Sequence, residues 1–136
     1  MDGTSVATII FLALAVHEGL IGGRLAFRTR RTLEAAGLAY DDGNGLVVQE
    51  FAVYSLGIAA AYVVAALDPV QCRAVALVGI TFNLSAGMMH LLRSAGIYFG
   101  DAYPVMSRGF ERKAGVVHAA AVFTLVIILP SMGVLS

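Results

Sequence analysis

Seven polar side chains sit inside runs that are otherwise apolar: His17, Glu18, Gln49, Glu50, Asn83, His90 and His118. An ionisable group costs roughly 2.5–3.5 kcal/mol to bury in a lipid-embedded helix, so a chain that keeps several of them uses them. Carboxylates and imidazoles together can hold a metal, pass a proton or grip a polar headgroup. A metal would draw on Glu18, Glu50, His90 and His118, as zinc or iron between helices. Di-iron bundles use a Glu-x-x-His pair on one helix, and neither that pair nor His-x-x-x-His occurs here. Haem held by His90 and His118 is a second candidate. The third is an amphiphile, a lipid, quinone or sterol-like ligand, with its head on Glu and His and its tail between helices. Against all three stands a structural role, in which the same groups only bond one another and fix packing.

The elements that carry these residues follow from composition. Of 136 residues, 59% are hydrophobic and 13% charged, and the mean hydropathy is +0.83. A soluble domain carries about 25% charged residues, and a disordered chain is poor in apolar ones, so the solvent of this chain is largely lipid. Nine basic residues balance nine acidic ones, which argues against a nucleic-acid partner. The single cysteine, Cys72, can form no intrachain disulfide and reads as an apolar filler.

A helix needs roughly 20 apolar residues to cross a bilayer. Four stretches qualify, at about 6–27, 46–67, 71–93 and 114–135. The flank before the first is acidic and its apolar run long, which predicts a retained helix rather than a signal peptide. The expected fold is all-α: one transmembrane four-helix bundle, up-down-up-down. Asp41-Asp42-Gly43-Asn44-Gly45 reads as a turn, and Asp68-Pro69 as the tight link of an antiparallel hairpin between spans two and three. Tyr98 and Tyr103, in the glycine-rich connection 96–109, suit a membrane interface. Eight basic residues (Arg24, Arg28, Arg30, Arg31, Arg93, Arg108, Arg112 and Lys113) flank the two long connections, and Arg73 alone lies at the other end. The positive-inside rule then predicts a multi-pass protein with the loops 28–45 and 94–113 cytoplasmic and both termini outside.

Rotation gathers the polar groups. Steps of three and four residues put Ala15, Glu18, Gly19 and Gly22 on one face of the first span. They do the same for Glu50, Tyr54, Gly57 and Ala61 on the second, for Gly79, Asn83, Gly87, His90 and Ser94 on the third, and for Ala114, Gly115, His118 and Ala121 on the fourth. Small residues mark close helix approach. The expected pocket is therefore Glu18, Glu50, Tyr54, Asn83, His90 and His118, in the cytoplasmic half of the bilayer.

Gln49-Glu50-Phe51-Ala52, the following Leu56-Gly57 and the later Gly87-Met88-Met89-His90 resemble the DoxX-like small four-helix membrane proteins of bacteria, and the likeness covers most of the chain. It implies the four-helix fold, a bacterial inner-membrane location, and Glu50 and His90 as positions to test. Members of that group are tied to membrane oxidoreductase or accessory roles. The leading expectation is a non-catalytic subunit or accessory protein of a larger membrane complex, binding a lipid or quinone in the Glu/His pocket. Its partners would be membrane lipid and other membrane subunits, or a second copy of itself. The alternative is a small metal-dependent or acid/base membrane enzyme on the same cluster.

Overall fold

A computed structural model describes residues 3–97 and 106–134, with the backbone alone over 42–44. The described chain is all-helical. Its elements are α1 (Gly3–Phe27), α2 (Thr29–Ala35), α3 (Asp42–Leu67), α4 (Arg73–Ser94) and α5 (Arg108–Ile128), followed by a 3-10 turn at Pro130–Met132. Among the described residues three helices are long and apolar enough to cross a membrane: α1, α3 from Gly45, and α4.

Several boundaries differ from expectation. α3 starts at Asp42, so the residues read as a turn form its first turn, with Gly45 N–H donating to the Asp41 carbonyl at 2.8 Å. The connection 28–45 holds a helix of its own, α2. α5 begins at Arg108 rather than near 114, because Ser107 caps it: its hydroxyl accepts from Phe110 N–H at 3.3 Å. It ends at Ile128 rather than 135, where Pro130 brings no N–H to continue the ladder. Gly37 and Gly96 close α2 and α4 with φ of 84° and 85°. Each lets the next residue bond back across the final turn, Leu38 N–H to Leu33 O and Ile97 N–H to Leu92 O, both at 2.9 Å. Tyr98 and Tyr103 lie outside the described residues.

The helices associate as two antiparallel pairs, α1 with α3 and α4 with α5. The hairpin expected between spans two and three is only a turn. Asp68 makes it, accepting from Gln71 N–H on its side chain at 3.1 Å and from Cys72 N–H on its carbonyl at 3.0 Å, but α3 packs mainly on α1 and α4 mainly on α5. Each pair closes on small residues instead. A Cβ on Gly22 would stand 3.1 Å from the Ala52 carbonyl oxygen. A Cβ on Gly87 would stand 3.0 Å from the His118 Cβ, and one on Gly115 would stand 3.4 Å from the Gly87 carbonyl oxygen.

The pairs join through one core. Ala7, Phe11 and Ala15 of α1 meet Tyr62, Ala65 and Ala66 of α3, Ala76 of α4, and Leu125, Ile128, Leu129 and Met132 at the end of the chain. These all lie toward one end of the bundle, where α3 turns into α4. At the opposite end α2 is tied to the start of α5, as Ser107 N–H donates to the Ala36 carbonyl at 3.1 Å. Arg30 stacks there over the Tyr40 ring at 4.9 Å.

Candidate functional site

The polar cluster is built on α4 and α5. Gly87 and Gly115 bring the two backbones close, and that approach sets the level at which His90 and His118 meet. Their rings stack nearly parallel, 5.5 Å between centroids and 9° apart. Each ring is held by its Nδ1. His90 Nδ1 donates to Glu111 Oε2 at 2.5 Å. His118 Nδ1 donates to Asn83 Oδ1 at 2.7 Å. The Asn83 amide is itself oriented, because its Nδ2 donates to the Gly79 carbonyl at 2.9 Å. Arg93, one turn beyond His90, comes within 4.0 Å of the other Glu111 oxygen.

Glu111 is therefore central, and the sequence reading passed over it. Starting the last span at residue 114 left Glu111 in a charged connection. Yet Glu111, Gly115, His118, Ala121 and Leu125 continue one helical stripe, and all but the half-buried His118 are buried. Glu111 is 1% exposed. Extending the small-residue stripe back by one turn would have found it.

Of the six expected pocket residues, three meet here: Asn83, His90 and His118. Glu18 is buried at 3% exposure, on the α1 face toward α3, with Ser55 beside it. His17, its neighbour, lies within electrostatic reach of both Glu18 and His118.

Glu50 and Tyr54 are not in the cluster. Both are exposed on the outer side of α3, Tyr54 at 66%, and Gly57 between them and Ala61 has nothing within 4 Å of where its Cβ would be. The stripe was placed on the wrong side of the helix for a physical reason. α3 carries two small-residue stripes, and α1 packs on the one formed by Ala52, Ser55, Ala59, Tyr62 and Ala66, all buried. Ala52 and Ala59 approach glycines of α1, and Tyr62 fills the core against Phe11 at 5.9 Å between ring centroids.

With Glu50 outside, the four residues considered as metal ligands do not converge. Among the described residues no three His, Cys, Asp or Glu side chains are grouped to hold a metal ion. What the cluster offers is an oriented pair of imidazoles, one on a carboxylate and one on an amide.

Set against known proteins, the chain matches no family model, no curated protein and no solved structure.

Proposed function

We propose that this chain is a multi-pass membrane protein that serves as a non-catalytic accessory subunit. α1, α3, α4 and α5 would cross the bilayer, both termini would lie outside, and the α4–α5 cluster would hold a lipid or quinone. The likeness to DoxX-like bacterial proteins in Gln49–Ala52 and Gly87–His90 is part of this proposal. One observation carries the subunit reading: the outer face of α3 leaves Glu50, Tyr54 and Gly57 exposed, and among the described residues nothing lies within 4 Å of where a Cβ on Gly57 would be. A carboxylate and a phenol set toward acyl chains are costly, and an open glycine on the same stripe leaves room for another helix to approach.

A photo-crosslinking residue at position 57 tests this in native membranes. The expected result is one discrete protein adduct, whose mass separates another subunit from a second copy of this chain. The same residue at Val116, on the exposed side of α5, should give no discrete protein adduct. Lipid adducts alone at position 57 would overturn the subunit reading.

A second reading, a small acid/base membrane enzyme, is favoured by the His90–Glu111 contact. A carboxylate on Nδ1 fixes the tautomer that leaves Nε2 as a base. Metal analysis of protein purified in mild detergent separates the metal-dependent form of that reading from the metal-free one.

A further inference from the structure

The hydrogen-bond directions from the Gly79 carbonyl to His118 are determined by donor and acceptor chemistry. The Gly79 carbonyl can only accept, so Asn83 must turn its Nδ2 toward it and its Oδ1 toward His118. His118 must then carry its proton on Nδ1. His90 Nδ1 is taken up in the same way by the Glu111 contact, which leaves its Nε2 as the free nitrogen of that ring. In the neutral ring the remaining nitrogen, Nε2, is an acceptor. Neither Nε2 makes a hydrogen bond among the described residues. Neither ring is sealed, as the His90 side chain is 20% exposed and His118 is half-buried.

The surface leading to these acceptors is apolar. Val78, Phe82, Ala86 and His90 follow one another at four-residue steps along α4. Val78 and Phe82, with Leu77 and Thr81, line a shallow, open apolar groove along α4. Phe82 ends the groove at the cluster, its ring set edge-on to His118 with 6.2 Å between centroids. A tail lying in the groove would bring a headgroup to the imidazoles.

We propose that this stripe binds an amphiphile whose headgroup donates a hydrogen bond, an alcohol or a phenol on a long apolar tail, at His118 Nε2 with the His90 ring stacked beside it. The proposal rests on the reading that the α4–α5 cluster holds a lipid or quinone, and narrows it by hydrogen-bond polarity. A headgroup with only ketone, ether or ester oxygens would set lone pair against lone pair and is rejected. The reduced, hydroxyl-bearing form of a redox lipid would be bound in preference to its ketone form.

The test uses the full chain in detergent micelles with 15N-labelled histidine. The probes are para-decylphenol and para-decylanisole, which share tail and ring and differ in one donor. Binding about tenfold tighter for the phenol is expected, the size of one net hydrogen bond, and the phenol should shift the Nε2 resonances while the anisole leaves them in place. His118→Phe and His90→Gln should erode the preference, and the resonance shift in the unaltered chain decides the matter where a variant fails to fold. Competition by monooleoylglycerol would assign the hydroxyl to a lipid alcohol, and its failure to compete would assign it to a phenol. Equal binding of phenol and anisole overturns the donor rule and leaves the amphiphile site standing. Binding of neither overturns both.

Discussion

Gly87 of α4 and Gly115 of α5 face each other across the tightest part of their helix pair, each standing where a Cβ on the other would meet backbone or a neighbouring side chain. A Cβ on Gly115 would be 2.7 Å from Leu91 Cδ2. That approach places His118 against His90 one turn away, so packing and chemistry share the same two glycines.

Replacing Gly87 or Gly115 by leucine should therefore destabilise the protein by about 1–3 kcal/mol or more and separate the imidazoles. Gly57→Leu should change little, because its Cβ position is open. Thermal unfolding of the three variants in one detergent measures this, and equal loss at all three positions would refute the packing assignment.

Tyr62 and Gly79 form a second tight contact, between α3 and α4. A Cβ at position 79 would collide with the Tyr62 hydroxyl and stand 3.1 Å from Leu125 Cδ1. Gly79→Ala should cost about 1–3 kcal/mol. Adding Tyr62→Phe removes the colliding oxygen and should recover part of that loss. Strictly additive losses in the double variant would show that the hydroxyl is not the obstacle.

The coupled carboxylate of the cluster is Glu111, and Glu50 is not. A double-mutant cycle with Glu111→Gln and His90→Gln should return a coupling of about 0.5–3 kcal/mol, the range for groups in one polar network. The same cycle with Glu50→Gln and His90→Gln should return nearly zero. A large coupling to Glu50 would mean that the α3 stripe faces the cluster after all.

Orientation can be read by labelling in a Cys72→Ser background. Arg31→Cys lies at the basic end and Val70→Cys at the other, both exposed. In intact cells an impermeant thiol reagent added outside should modify position 70 and spare position 31. The opposite pattern would reverse the proposed topology.

Periodicity located most of this structure. The stripes through Glu18 and Gly22, Gly79 to His90, and Gly115 to Ala121 were legible because each helix has one run of small residues, and the partner takes it. α3 was ambiguous because it has two such runs, and nothing along a single sequence states which one α1 occupies. The error at Glu50 and Tyr54 came from that ambiguity. Glu111 was missed for another reason: hydropathy ended the span before a charged turn, whereas the Ser107 cap extended the helix through it. The pairing of α1 with α3 and α4 with α5 was hidden as well, since a short link such as Asp68-Pro69 fixes proximity of helix ends and not the burial of one helix face on another.

Each pair consists of neighbours in the order of synthesis, and the two pairs meet mainly through one shared core near the Asp68–Arg73 link. α1 through α3 would leave the ribosome as a unit that can already close on itself before α5 has emerged. The chain then resembles two genes' worth of helical hairpin fused by a five-residue strap, and halves cut at that strap and produced separately are expected to find each other through the shared core.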